Sequence, residues 1–293
     1  MIARPATQAP GIHHRRVGAV LVSALNDGVI TADFAWLAGI PPEQATTLHR
    51  ATWRAIPPRI TVNAFLVWQA DGRLALVDAG AGAALGPELG GLPARLAALG
   101  ITPGDIDTVL LTHLHPDHAG GLIDADGHAA FPRARLILHE AEAAFWQAPA
   151  TEAAAIGEQE RAFLALARAA LAAYAGRVDL LASASPLPGV TAIPLPGHTP
   201  GHTGWRIGAD AEALLIWGDV VHMPGVQFAR PEAGMGFDID IATARATRAR
   251  IMAEAAADGI AVAGMHLDFP AFGHVVTAGA GYAFVPEAWS PAL

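Results

Sequence analysis

A cluster of metal-binding residue types within six positions constrains the fold of this chain more than any other feature. The cluster directly follows the apolar run 109–111 and reads His113-Leu114-His115-Pro116-Asp117-His118. Such a run is typical of a buried strand, and loops at strand ends present reactive side chains on a rigid scaffold. Neutral imidazole and carboxylate groups are ligands for zinc and similar first-row metals. The alternative, a histidine-rich surface turn, needs no further ligands elsewhere in the chain.

Further ligand-type residues follow short apolar runs later in the sequence. His198 lies in the segment 197–202, which reads Gly-His-Thr-Pro-Gly-His. Asp219 follows the run 214–217 and a glycine, and His266 follows the run 260–263 and Gly264-Met265. An isolated histidine is more often structural than a ligand, but four strand-end positions with one repeated pattern favour a shared metal site.

The order of these residues resembles the metallo-β-lactamase fold hydrolases. Their pattern is HxHxDH, then a lone histidine, a bridging aspartate and a final histidine. The similarity covers roughly residues 17 to 290 and is closest to the methyl parathion hydrolase branch, which includes lactonases and arylesterases. The segments that carry it beyond the ligands are 76–80, 197–203, 226–228, 266–270, 273–275 and 281–286. The resemblance implies an α/β fold of the α+β type, a four-layer αββα sandwich of two mixed β-sheets flanked by helices.

The resemblance also implies two divalent metal ions per chain. The expected ion is zinc, with manganese, cobalt or iron as alternatives. One ion is assigned to His113, His115 and His198, the second to Asp117, His118 and His266, and Asp219 is the bridge between them. Two such ions hold a bridging hydroxide at neutral pH and stabilise a developing oxyanion. The residues expected to act in catalysis are Asp117, Asp219 and His222.

Other residues are predicted to surround the ligands. Asp78, at the end of a strand, is expected to accept a hydrogen bond from a ligand imidazole. His202 and His274 are either further supporting groups or structural histidines. His222 stands three residues after Asp219, where acyl-homoserine-lactone lactonases of this fold have a tyrosine that polarises the substrate carbonyl. A histidine there either donates to the carbonyl, protonates the leaving alkoxide or only lines the pocket.

The resemblance places the substrate pocket at four positions, Leu85, Trp146, Phe163 and His222. For Trp146 and Phe163 the alternative is ordinary helix core. An apolar wall without nearby Lys or Arg suits a small, neutral and hydrophobic substrate.

These features together predict a dinuclear-metal hydrolase that opens lactones, as in quorum quenching, or cleaves aryl esters, with promiscuous phosphotriesterase activity on organophosphates. A glyoxalase-II-type thioesterase and a β-lactamase are the alternatives. A flavodiiron oxidoreductase keeps a carboxylate where His115 stands and adds a flavin domain, and a non-catalytic metal-binding scaffold typically loses ligands. The segment 281–293 contains no Lys or Arg that would bind a glutathione carboxylate.

Composition excludes several other classes. The chain has no cysteine, so thiolate ligands, cysteine nucleophiles and disulfides are impossible. Its net charge of −9, without a basic block, disfavours nucleic acid as a partner. No apolar stretch reaches the ~18 residues of a membrane span, and no cleavable leader is recognised, so we expect no membrane association and a cytoplasmic location. The resemblance implies a homodimer.

Local patterns predict the organisation of the chain. Residues 1–16 are Pro-, Ala- and Arg-rich and are expected to form a flexible arm before a single metallo-β-lactamase-like domain at 17–293. Asn26-Asp27-Gly28 predicts a hairpin turn after a first strand, and Asp71-Gly72 a second turn between strands 60–68 and 74–77. Helices are predicted at 93–99, 151–175 and 241–258, the last with Arg245, Arg248 and Glu254 on a solvated face.

Overall fold

The structure is a computed structural model that describes residues 8, 11–155, 157–181, 185–209 and 212–292. The four-layer sandwich predicted from the sequence is confirmed. Two mixed sheets pack face to face, and helices cover their outer faces.

Seven strands form the first sheet in the described part of the chain. They are β1 (Ile12–Val17), β2 (Val20–Thr31), β4 (Arg59–Trp68), β5 (Leu74–Val77), β6 (Thr108–Leu110), β7 (Arg135–His139) and β8 (Val178–Leu181). Their spatial order is β1-β2-β4-β5-β6-β7-β8. The first four pair antiparallel, whereas β5 to β8 are parallel, so the carboxyl ends of β5, β6 and β7 meet at one edge.

The second sheet has six strands in the described ranges. They are β9 (Val190–Pro194), β10 (Thr203–Ile207), β11 (Leu214–Ile216), β13 (Ala261–Ala263), β14 (Phe272–Ala278) and β15 (Gly281–Pro286), in the order β15-β14-β13-β11-β10-β9. The pair β11 and β13 is parallel and the other pairs are antiparallel. A short ribbon joins β3 (Leu37–Ala38) to β12 (Gly234–Met235).

Helices lie on the outer faces and in the connections. They are α1 (Pro42–Ala51), α2 (Leu92–Ala98), α3 (Pro116–Ala119), α4 (Glu140–Gln147), α5 (Pro149–Ala154), α6 (Glu158–Ala173), α7 (Pro224–Gln227) and α8 (Ile241–Asp258). The predicted α2 and α8 are confirmed, as is the hairpin of β4 and β5 at Asp71-Gly72. In the described ranges, no helix combines the length and apolar character that crossing a membrane requires.

Side-chain alternation along the strands builds two layers of core. Val67 and Val77 belong to the cluster that contains the inner face of the second sheet and part of α8. Their neighbours Leu66 and Leu76 point the other way, into a cluster with residues of α2, α4 and α6. Because successive strand residues face opposite sides, one sheet contributes to both layers.

The prediction of a flexible arm at residues 1–16 is wrong for residues 12–16. Residues 12–16 belong to β1, which pairs with β2 through a turn at Gly18-Ala19, and Nε of Arg15 donates to the Glu287 carboxylate (2.8 Å). Residues 1–7, 9 and 10 lie outside the described ranges. The hairpin predicted at Asn26-Asp27-Gly28 is also wrong, since β2 continues through it to Thr31 with a bulge.

Two helix predictions need correction as well. The helix predicted at 151–175 is divided into α5 and α6, with Ala155 and Gly157 between them. Arg248 does not lie on the solvated face of α8, because it is 1% exposed. Its guanidinium donates to the carbonyl oxygens of Val220 (2.6 Å) and Ala233 (3.0 Å), which anchors α8 to the loops that follow β11.

Candidate metal centre

The loop after β6 presents four predicted ligands toward the interior. The N–H of Leu111 still bonds to the carbonyl of Ile137 in β7, so the loop leaves the sheet with a fixed direction. Pro116 then begins α3, because its fixed φ suits the first helical turn. His113 and His118 are fully buried, unlike the side chains of a histidine-rich surface turn.

Three more predicted ligands reach the same place from the second sheet. His198 lies between β9 and β10, Asp219 follows β11, and His266 follows β13. Gly218 has a φ of 59°, and a Cβ on it would lie 2.3 Å from Nε2 of His202, so this turn requires glycine. The structure therefore brings all seven predicted ligands together at one edge of the sandwich.

Three imidazole nitrogens form the first group of candidate ligands. Nε2 of His113 lies 3.0 Å from Nδ1 of His115, which lies 2.9 Å from Nε2 of His198. Oδ2 of Asp219 is 3.2 Å from Nε2 of His198. These four side chains offer ligand atoms close enough together to hold one ion.

A second group lies on the other side of Asp219. Oδ2 of Asp117 lies 3.5 Å from Nε2 of His118 and 3.3 Å from Nε2 of His266. Asp219 places Oδ1 at 3.2 Å from Nε2 of His118 and Oδ2 at 3.2 Å from Nε2 of His266. The Asp219 carboxylate thus contacts both groups.

The hydrogen bonds of these imidazoles favour tautomers that can bind a cation between them. Nδ1 of His118, His198 and His266 each donates to a carboxylate or carbonyl oxygen outside the cluster, so each ring, once neutral, directs the lone pair of its Nε2 inward. Nε2 of His118 and Oδ1 of Asp219 are buried without a hydrogen-bond partner, which is costly unless another group satisfies them. Because the donors are imidazole nitrogen and carboxylate oxygen, the cluster can bind divalent first-row metal ions.

Asp78 lies beneath the loop after β6 and accepts a hydrogen bond from the imidazole of a candidate ligand. Its Oδ2 accepts hydrogen bonds from Nδ1 of His118 (2.6 Å) and from the Thr112 hydroxyl (2.7 Å). That hydroxyl in turn accepts from Nδ1 of His113 (3.0 Å). Burial raises the pKa of Asp78, and the His118 charge and these hydrogen bonds lower it again in part. One carboxylate therefore orients two of the candidate ligands.

His202 supports the backbone of a candidate ligand, Asp219. Its Nδ1 donates to the carbonyl oxygen of Leu195 (2.8 Å), which leaves Nε2 to accept from the N–H of Asp219 (2.9 Å). Burial lowers the pKa of His202 to about 3, so the ring is neutral, as this tautomer requires.

His274 does not reach the cluster. It lies on β14 with its side chain 41% exposed, and its Nδ1 bonds to the carbonyl oxygen of Gly259 (3.1 Å). The prediction that His274 supports the ligands is therefore wrong, because the strand directs it away from the ligand loops.

Asp238 supports the candidate ligand His198 but was not identified from the sequence. Its carboxylate accepts from Nδ1 of His198 (2.8 Å) and from the N–H of Met235 (2.8 Å). No local pattern in the segment 234–240 separates this aspartate from Asp240, which caps α8.

His222 lies against the cluster on its cavity side. Its Nε2 is 3.0 Å from Oδ2 of Asp219, and its ring stacks on that of His266 at 5.0 Å between centroids. Burial lowers the pKa of His222 to about 4, so its imidazole is neutral at pH 7. Both ring nitrogens are buried without a hydrogen-bond partner among the described residues, so the single N–H of the neutral ring is available to donate.

A cavity of about 850 Å³ opens above the cluster. The four predicted pocket residues all line it, namely Leu85, Trp146, Phe163 and His222. Trp146 is also packed in the core around α4 and α6, so it is both a pocket residue and a helix-core residue. Within the described ranges, no Lys or Arg lines the cavity.

Part of the cavity wall was not identified from the sequence. Trp36 and Phe237 line it and meet edge to face, with ring centroids 6.4 Å apart. They come together because the ribbon of β3 and β12 joins segments almost 200 residues apart, as the pairing of Leu37 with Met235 shows. A single-sequence pattern carries no signal for such a pairing.

Comparison with known proteins identifies the family. Residues 57–264 match the sequence profile of the metallo-beta-lactamase superfamily, and the chain belongs to it. The crystal structure of the hydrolase AbOPH in the beta lactamase superfamily superposes with a TM-score of 0.89 at 32% identity, over 97% of this chain and 100% of that one. The dizinc quorum-quenching lactonase AidC has the same fold, with a TM-score of 0.84 at 24% identity over 96% and 99% of the two chains.

Curated relatives match smaller parts of the sequence. The N-acyl homoserine lactonase AiiB of Agrobacterium fabrum is 51% identical over 51 residues, 17% of this chain and 16% of that protein. A probable metallo-hydrolase of Mycobacterium tuberculosis is 31% identical over 215 residues, 63% of this chain and 64% of its own length. The chain thus matches less than two thirds of the length of either relative.

Proposed function

We propose that this chain is a dinuclear-metal hydrolase that opens lactones or cleaves aryl esters, with secondary activity on phosphotriesters. The observation that carries the proposal is the position of two ligand groups, joined by Asp219, at the floor of an apolar cavity. The dizinc lactonase with this fold and the short match to AiiB support lactones as substrates and zinc as the metal. The likeness to AbOPH supports hydrolysis, and we place the chain in the methyl parathion hydrolase branch.

The proposed ligand sets follow the two groups of side chains. His113, His115 and His198 would hold one ion, Asp117, His118 and His266 the other, and Asp219 would contact both. Bound divalent ions would lower the pKa of a water molecule and stabilise the negative charge that develops on the attacked carbonyl or phosphoryl oxygen.

The remaining residues act on the substrate and on protons. The neutral imidazole of His222, beside Asp219, donates a hydrogen bond to the carbonyl oxygen or to the leaving alkoxide. The carboxylate of Asp117 lines the cavity floor, where it can accept a proton from the attacking water. Trp146 and Phe163 hold the apolar part of the substrate and exclude water from the reacting carbonyl.

The charge of the cavity defines the substrate class. Its titratable lining residues include Asp117, Asp238 and Glu160, while basic side chains are absent from the lining in the described ranges. Because the described part of this wall offers no basic side chain to pair with a remote carboxylate of a substrate, we expect small, neutral and hydrophobic substrates. S-acyl glutathione and β-lactams carry carboxylates, so the thioesterase and β-lactamase alternatives fit the cavity less well.

A substrate panel tests this function. The metal-loaded protein is assayed with acyl lactones, aryl acetates, methyl paraoxon, a β-lactam and S-acyl glutathione, and kcat/KM is compared for each. We expect the highest values for lactones or aryl esters and a lower value for methyl paraoxon. A dominant preference for S-acyl glutathione or the β-lactam would reject the proposal. The Asp219→Ala variant, prepared in parallel, controls for contaminating esterases, and sedimentation velocity on the same protein tests the predicted homodimer.

A further inference from the structure

Glu142 is a fully buried carboxylate at the start of α4, outside the ligand set. Its two oxygens accept four hydrogen bonds. Oε1 accepts from the N–H of Leu114 (2.9 Å) and the indole of Trp146 (2.7 Å), and Oε2 accepts from the Thr199 hydroxyl (2.6 Å) and the N–H of Gly201 (3.1 Å). An ionised carboxylate has about four lone-pair sites, so each is matched by a donor.

The donors flank three of the candidate ligands. Leu114 lies between His113 and His115, and Thr199 directly follows His198. Glu142 therefore ties together two loops whose ligand nitrogens, Nδ1 of His115 and Nε2 of His198, lie 2.9 Å apart although they are 83 residues apart in sequence.

The loop that carries His198 packs directly on the start of α4. A Cβ on Gly201 would lie 2.2 Å from the backbone nitrogen of Glu142 and 2.5 Å from its Cβ. Only glycine permits this approach, so the separation between the helix and the loop is fixed by backbone contact as well as by hydrogen bonds. One turn further along α4, Trp146 places its ring 5.6 Å from that of His115 and forms part of the cavity wall.

We infer that Glu142 is a positioning residue that sets the distance between the loop of His113 and His115 and the loop of His198, and through it the metal affinity of this first ligand group. The inference rests on the proposed function, because it assumes that these nitrogens hold an ion. Glu142 touches neither the ion nor the substrate. It acts by holding the backbone next to three ligands, in the way that outer groups of metal sites orient the inner ones.

Two variants test the inference by metal binding. Glu142→Gln keeps the size of the side chain but turns an NH2 group toward two N–H or O–H donors. We expect the affinity of one metal equivalent to fall about 10–100-fold while the other changes little. Thr199→Val removes one donor and leaves the carboxylate intact, so we expect a smaller loss in the same equivalent. Both are measured by competition with a chromophoric chelator and by the visible spectrum of the cobalt-substituted protein.

A matched control separates positioning from general stability. Tyr174→Phe removes a buried hydrogen bond from the same core, the one that the Tyr174 hydroxyl accepts from the N–H of Phe131 (3.2 Å). We expect it to lower Tm without changing the chelator competition or the cobalt spectrum. If Glu142→Gln and Thr199→Val also lower only Tm and keep wild-type metal affinity, the inference is overturned.

The two proposals fail in different ways. Chelator competition is measured without turnover, so a wild-type protein that binds two equivalents of metal but hydrolyses no ester would reject the proposed function. The same titrations would still decide the role of Glu142. If Glu142→Gln does not fold, Thr199→Val alone decides it.

Discussion

Nδ1 of His198 donates a hydrogen bond of 2.8 Å to Oδ1 of Asp238, and this contact fixes the imidazole with its other nitrogen facing the ligand cluster. Burial alone would raise the pKa of Asp238, but the His198 hydrogen bond and charge hold it at about 2. The carboxylate is therefore ionised at neutral pH and can only accept. In the neutral ring that metal binding requires, Nε2 of His198 then has a lone pair directed toward the first ligand group.

The Asp238→Asn variant should bind metal more weakly. The amide keeps the shape of the side chain but loses the charge, and its NH2 group opposes either His198 or the N–H of Met235. We expect metal affinity to fall about 10–100-fold, measured by chelator competition. Asp240→Asn is the control, because the side chain of Asp240 is exposed and caps α8 through Thr243, and the substitution leaves the backbone hydrogen bond of Asp240 to Gly197 in place. Equal affinities for Asp238→Asn and the wild type would show that the contact is not needed to orient His198.

Asp219→Ala tests the bridge between the ligand groups. Since Asp219 contacts imidazole nitrogens of both candidate ligand groups, we expect this variant to lose activity and much of its second equivalent of metal. Ligands that bind only the folded state raise its stability, by about 2.7 kcal/mol when the free ligand is at 100 times Kd. The rise in Tm on adding metal should therefore be smaller than in the wild type. Elemental analysis that finds two full equivalents in the variant contradicts the bridging assignment.

The sequence predicted those features that a short segment encodes. The HxHxDH segment, the glycine before Asp219 and the apolar runs before the candidate ligands are all contiguous. Through their resemblance to the metallo-β-lactamase fold hydrolases they predicted the sandwich, which is confirmed, and the seven candidate ligands that the structure brings together. Asp238 and Glu142 were missed because their roles depend on contacts over 40 and 57 residues, to His198 and Thr199 respectively. Nothing in their neighbouring residues distinguishes them from acidic groups on a solvated surface.

The wrong hairpin at Asn26-Asp27-Gly28 has a similar cause. Asp27 does not turn the chain, because its buried carboxylate accepts from the N–H groups of Ala81, Gly90 and Leu92. These contacts, 54 to 65 residues away, convert a local turn signal into a bulge within β2. Local preference is thus overridden by long-range pairing, which a single sequence does not display.

His222→Ala tests whether His222 acts on the substrate or only lines the cavity. If its imidazole donates to the carbonyl or to the leaving alkoxide, kcat on lactones should fall far more than metal content does. Removal of one such donor commonly costs about 100–1000-fold in kcat. His222→Gln retains a donor of similar reach and should recover part of the loss. An unchanged kcat with full metal content assigns His222 to the cavity wall.

Truncation of the aromatic wall should discriminate between substrates by the length of their apolar part. Phe163 and Phe237 both line the cavity, and Phe237 is 42% exposed beside Trp36, so each can contact an acyl chain or aryl ring. We expect Phe163→Ala and Phe237→Ala to cost ~1–3 kcal/mol in kcat/KM for a long-chain lactone and less for a short-chain one. Trp146 is a less suitable position, because its indole also bonds to Glu142 and truncation would change two functions at once. Trp53→Ala, a 97% exposed aromatic that does not line the cavity, is the control. If both truncations affect short and long substrates equally, the apolar part of the substrate binds elsewhere.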